Sequence, residues 1–166
     1  MLGQLMWTTT TTALTTGGLT DLWGDPNDVL RYVKASTLKV MAGAWAVVCR
    51  RSDVQRVLNE FWRAHSSRVN RYALVGRFPI TGVLHIRVSA VDSLAEAPAG
   101  SVGLPLLAAT SPVAGRPDLD TVVWLGVLTK PNERYSDDFF CETEQWLFAN
   151  YSSYAVPRAE WSKGWA

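Results

Sequence analysis

Charge, cysteine and histidine are all in short supply in this chain. Its 166 residues carry a formal net charge of +1, two cysteines and two histidines. The near-neutral balance excludes a general nucleic-acid binder, because phosphate neutralisation needs a clustered basic surface. Cys49 and Cys141 fall in an apolar strand pattern and a helix pattern. That placement points to buried free thiols rather than to a disulfide framework. His65 and His85 have no cysteine or carboxylate at ligand spacing, so no metal site is expected. No window approaches about 18 consecutive apolar residues, so no membrane span is expected. The start MLGQLMW has no basic n-region, which argues against a signal peptide. The sequence leaves the compartment open.

What is present suits one globular domain. Hydrophobic residues make up 48% and charged residues 19%, enough for a real core. Eight tryptophans are many for this length. Each offers a large apolar area and one N–H donor, and a surplus beyond the core suggests an apolar pocket or an interface.

Residues 1–36 read as an irregular N-terminal segment, with a threonine run of no clear period and turn signals at Gly17–Gly18 and GDPND. Thr37–Arg51 reads as a strand, with Gly43 marking a bulge or the close approach of another backbone. Ser52–Asp53 opens a long amphipathic helix that Gly76 ends. Its apolar positions are Val54, Val57, Leu58, Phe61, Trp62, His65, Val69 and Tyr72. His65 reads as a core or boundary histidine, and Arg50–Arg51 as a solvated strand end. Val83–Val91 is a second strand and Thr121–Thr129 a third. Between them Asp92–Asp120, rich in Pro, Gly, Ala and Ser, is a long connection of the kind that is usually functional or only partly ordered. Ser136–Tyr151 is a helix with acids in its first turn, and YAVPRAEW offers a last strand.

The order strand, helix, strand, strand, helix, strand predicts an α+β fold of the split βαβ, ferredoxin-like kind. Such a fold is an antiparallel sheet with both helices on one face and the other face bare. Alternation then assigns the faces. Leu84, Ile86, Val88 and Ala90 go under the helices with Val123, Leu125 and Val127. His85 and Arg87 share the bare face with Trp124 and Gly126. Residues two apart on a strand lie about 6.5–7 Å apart, so His85 and Arg87 can address one small molecule together. A solvated sheet face carries such residues too, and pattern alone does not choose between the two.

Four stretches carry a resemblance: LRYVKASTLKVMAGAWAVVCRRSDVQRVLNEF, FPITGVLHIRVSAVD, LDTVVWLGVLT and FFCETEQWLFANY…RAEWSKGWA. They resemble, in order and over nearly the whole chain, the substrate-binding region of flavin-linked cholesterol oxidases of the vanillyl-alcohol oxidase type. The resemblance implies a substrate-binding (cap) domain over 37–166 whose open sheet face roofs a flavin and forms an apolar sterol cavity. It implies FAD as cofactor, bound by a flavin domain absent from this chain, and oxidation of a sterol 3-hydroxyl with O2 as electron acceptor. Arg87 matches the arginine of the family's Glu-x-Arg pair, and His85 stands at its glutamate. Gly126 falls where the family has an asparagine on the neighbouring strand.

On that basis Arg87 and His85 are the expected catalytic residues. An imidazole can take the alcohol proton, and a guanidinium can stabilise developing negative charge. Trp45, Trp124, Gly126, Leu104 and Leu107 are the expected substrate-binding residues. The expected partners are a sterol and a flavin-binding domain in cis or in trans, with no nucleic acid and no transmembrane segment. Exposed apolar surface on the open face predicts self-association. Family members are often secreted. The competing reading is a stand-alone ferredoxin-like module that holds a small apolar ligand or a protein partner.

Overall fold

A computed structural model of the chain describes residues 40–97, 99–105 and 107–161. The expected 1–36 segment, the beginning of the first expected strand and the last five residues lie outside the described residues. Among the described residues, four strands and two α-helices follow one another as β1 (Met41–Cys49), α1 (Val54–Leu74), β2 (Leu84–Ala90), β3 (Thr121–Thr129), α2 (Ser136–Tyr151) and β4 (Val156–Ala159). The sheet order is β2-β3-β1-β4 and every neighbouring pair is antiparallel. This is the expected α+β arrangement.

β1 and β3 are the central strands, and their sequences explain why. MAGAWAVVC and TVVWLGVLT are apolar in both parities, as suits strands covered on both sides. They pair along nine residues, from Met41 opposite Thr129 to Cys49 opposite Thr121. Trp45, Val47 and Cys49 of β1 join Val123, Leu125 and Val127 of β3 beneath both helices. Val57, Phe61 and Tyr72 come down from α1, and Phe139, Phe140, Leu147 and Tyr151 from α2. Each fully buried large side chain here contributes roughly 1.5–3 kcal/mol relative to exposure.

Gly43 corrects the reading of a bulge or a backbone approach. The register runs through it unbroken, opposite Val127. Side-chain rings fill its space instead: a Cβ at Gly43 would lie 2.8 Å from Phe140 Cδ1 and 2.8 Å from the Trp45 ring.

The buried stripe of α1 is Val57, Phe61, His65, Arg68 and Tyr72. Trp62, expected on it, is 60% exposed. One residue is about 100° of helix, so Trp62 is turned away once Phe61 faces the sheet. Arg68 takes a stripe position instead. It donates to Thr143 Oγ1 at 3.2 Å and to the Glu142 carbonyl at 3.2 Å, and its Nε lies 3.5 Å from the Glu142 carboxylate. A buried cation persists only with such partners. At the end of the helix, Gly76 takes φ +72°, the left-handed conformation that closes helices without a Cβ penalty.

The face away from the helices is not uniformly bare. The connection between β2 and β3 folds over one end of it. Ala109 and Leu119 pack on Ala46, Val48 and Val122, with Val91, Val113, Trp124 and Val156 around them. Polar contacts hold the connection down. Asp92 accepts from Thr110 Oγ1 at 2.6 Å, and Arg158 of β4 donates to the carbonyls of Ala109 and Ser111 at 2.9 and 2.5 Å. Asp118 binds both Arg116 and Arg50, and these two guanidinium groups hold its carboxyl below the usual range. Arg50 is therefore exposed but ion-paired, at 2.9 Å, rather than merely solvated.

Candidate functional site

Among the described residues nothing covers the remainder of that face, which lies toward the start of β2 and the end of β3. β2 pairs with β3 so that His85 stands opposite Gly126 and Arg87 opposite Trp124. Leu84, opposite Val127, packs against the helix-side core. By alternation His85, Arg87 and Ser89 point to the other side. On β1, Ala42 and Ala44 share that side with them, since Trp45 and Val47 face the helices.

These residues line a groove of about 470 Å³, with Ala42, Ala44, His85, Arg87, Trp124 and Gly126 among its walls and Val40, Met41 and Leu128 at its end. The volume falls in the range of small-molecule sites, about 300–1,000 Å³. Its make-up is apolar with two convergent polar groups. The floor is flat because it is built from Ala42, Ala44 and Gly126, whose side chains are small or absent. The nearest atom to a Cβ placed on Gly126 would be the His85 carbonyl oxygen, at 3.3 Å. Trp124 forms one wall. Its indole Nε1–H donates to Ser89 Oγ at 3.2 Å, and the Arg87 guanidinium carbon lies 5.5 Å from the ring centroid.

Four of the residues singled out from sequence therefore come together: His85, Arg87, Trp124 and Gly126. Three do not join them as expected. Trp45 is fully buried, and its indole N–H reaches Glu144 Oε2 of α2 at 2.8 Å. Its side chain belongs to the helix-side core, and it meets the groove only from within the strand that forms the floor. Leu104 is half-buried and lines a different cavity, with Ala90, Val91 and Glu96. Leu107 is 67% exposed and is not among the groove's lining residues. The connection packs through Ala109, Val113 and Leu119 rather than through the two leucines. Ala42 and Ala44 carried no signal in the sequence, and Ser89, which shares the parity of His85 and Arg87 there, was not among the expected site residues.

A family model described as "Cholesterol oxidase, substrate-binding" matches residues 1–166. This chain belongs to the cholesterol oxidase substrate-binding family. A solved structure of a solvent-stable cholesterol oxidase is 44% identical to it, with a TM-score of 0.75 over 92% of this chain and 28% of that one. The cholesterol oxidase from B. sterolicum is 37% identical with a TM-score of 0.80, over 98% of this chain and 30% of that one. A His121Ala mutant of the Brevibacterium sterolicum enzyme matches equally well, covering 31% of its chain. No curated protein matches the chain. The chain thus spans about three tenths of the length of the cholesterol oxidases it resembles.

Within this substrate-binding family member, no group of three or more potential metal ligands is found among the described residues, and no described helix is long and apolar enough to cross a membrane. Both cysteines are free thiols; Cys49 is buried and Cys141 half-buried. Burial, then the nearby Asp53 and Asp120 carboxylates, push the Cys49 thiol up to about 11. His65, the second histidine, lies far from this groove, among Phe61, Phe139 and Arg68 between the helices.

Proposed function

We propose that this domain holds a sterol against the open face of its sheet for oxidation of the 3-hydroxyl by an FAD-dependent cholesterol oxidase. The observation that carries the reading is the groove itself. An apolar floor meets an imidazole and a guanidinium at one end, in a chain of the cholesterol oxidase substrate-binding family. The apolar walls suit a steroid nucleus, and the two polar groups suit its single hydroxyl. His85 would accept the hydroxyl proton on a ring nitrogen. Arg87, fixed over Trp124, would stabilise the charge that develops on the oxygen.

The same residues fit the ring of a flavin and not its phosphates. The Ala42, Ala44 and Gly126 floor admits a flat group, and Arg87 can face an electron-rich ring edge. No glycine-rich turn leads into α1 or α2 to receive a pyrophosphate. FAD, when bound, supplies the hydride acceptor. Its phosphates would be held by a flavin-binding domain, in cis or in trans. Contact with such a domain accounts for the apolar side chains left exposed around α1 and β2: Leu74 at 88%, Val75 and Phe78 at 66%, and Val88 at 51%.

The test is a chimera in which this segment replaces the matching part of the B. sterolicum cholesterol oxidase. Cholesterol-dependent hydrogen peroxide release is then measured. Activity should be retained, and Arg87→Ala should lower kcat by about a hundredfold, the scale of losing one charge-stabilising donor. A folded, flavin-loaded chimera whose turnover is indifferent to Arg87→Ala and to His85→Ala would overturn the reading.

A further inference from the structure

We infer that Ser89 is a positioning residue for Arg87, acting through the Trp124 indole. The inference rests on the groove being the reactive site, but its geometry stands by itself. Trp124 is directly across from Arg87 in the β2–β3 register, and Ser89 is two residues further along β2 on the same face. The indole leans diagonally to Ser89, where Nε1–H meets Oγ at 3.2 Å, instead of toward His85 on the other diagonal. The Arg87 guanidinium lies over the ring held in this way, 5.5 Å from its centroid.

Trp124 also stands on a border. It packs against the apolar cluster under the connection, yet it lines the open groove. Beyond it lies a second cavity of about 570 Å³, lined by Ser89, Asp92 and Thr110, with Arg87 and Trp124 shared between the two. The ring is thus a partition, and Arg87 borders the space on both sides of it. On the groove side, next to Trp124 in the same parity, is Gly126, which has no side chain to resist the ring. An indole released from Ser89 can swing over Gly126, narrow the groove and leave the guanidinium without its platform. The Ser89 hydroxyl keeps the groove open and Arg87 aimed into it.

Two readouts test this. The first needs no sterol. In ¹H–¹⁵N spectra of the chain, the Trp124 indole signal (assigned by its loss in Trp124→Phe) and the Arg87 Nε–H signal should both move in Ser89→Ala and return toward wild type in Ser89→Thr, which restores the hydroxyl. Thermal midpoints should stay unchanged, because Ser89 is exposed. The second readout is dehydroergosterol binding. Its affinity should fall about threefold to fivefold in Ser89→Ala, the scale of one neutral hydrogen bond, and recover in Ser89→Thr. Indole and guanidinium signals that do not respond to Ser89→Ala would overturn the inference. Signals that respond in a chain that takes up no dehydroergosterol would uphold the positioning role and count against the sterol reading instead.

Discussion

His65 gives the sharpest quantitative expectation. Its ring is 8% exposed, stacked on Phe61 at 5.8 Å and edge-on to Phe139 at 5.6 Å. Its Nδ1 is buried with no hydrogen-bond partner. Phe61 and the Arg68 cation flank it on its own helix, Phe139 faces it from α2, and the carboxylate partner of Arg68, Glu142, also lies on α2. Burial first, and Arg68 second, press its protonation below the ordinary imidazole value. The folded state therefore binds this proton less readily than the unfolded chain. Above about pH 6.5 both states are neutral and the site is silent. As pH falls below that value the unfolded chain gains a proton that the native state refuses. Stability then drops by up to about 1.4 kcal/mol per pH unit until the folded imidazole itself protonates. His65→Leu removes the titration and the unpaired nitrogen together. At pH 7.5 the variant should be more stable than wild type by about 1 kcal/mol, the low end of the cost of one unsatisfied buried polar atom. At pH 5.5 its advantage should be wider than at pH 7.5. Urea unfolding at both pH values measures the difference, and titrations common to the two chains cancel in it. An advantage that stays the same at pH 7.5 and pH 5.5 would refute the argument.

Three further expectations concern the helix side of the sheet. Gly43→Ala places a methyl 2.8 Å from two rings locked in the core, so it should destabilise by about 1–3 kcal/mol in urea without displacing a groove ligand. Trp45→Phe keeps the ring contact with Phe140 but loses the hydrogen bond to Glu144. It should cost about 1 kcal/mol of stability and leave dehydroergosterol affinity unchanged, whereas a sterol-contacting Trp45 would weaken that affinity. Cys49, with its thiol near 11, should alkylate with iodoacetamide at pH 8 about a hundredfold or more slowly than an ordinary exposed thiol; peptide mapping that finds Cys49 modified at the ordinary rate would contradict its burial beneath the helices.

The strand β2 shows why part of this site was legible in one dimension. VLHIRVSA alternates, and a period of two assigns faces without any knowledge of the fold. Leu84 packs on the helix side, so His85 and Arg87 point the other way; the rest of the expected covered set, Ile86, Val88 and Ala90, stays exposed because the helices do not reach along this edge strand. The helix Ser136–Tyr151 and the strand Thr121–Thr129 were equally plain, since acids and turn residues bound them. β1 behaves differently. MAGAWAVVC is apolar in both parities, so its sequence carries no face assignment. Trp45 could be set toward a sterol or toward the helices with equal pattern, and only the packing of Phe140 against it, with Glu144 at its N–H, decided the matter.

Local periodicity and turn chemistry by themselves determined the element order, the antiparallel α+β class and the parity of the His85–Arg87 pair, while the likeness to a cholesterol oxidase family lay in the wording of four stretches of the chain. These depend on residues near one another in the chain. Tertiary structure decided what the bare face became: half of it roofed by Ala109, Val113 and Leu119, the other half left as a groove walled by Trp124. It also buried Arg68, because a cation can enter a seam only where another element brings Thr143 and Glu142 to meet it. Such partners are 74 and 75 residues away, and no local pattern encodes a meeting at that distance.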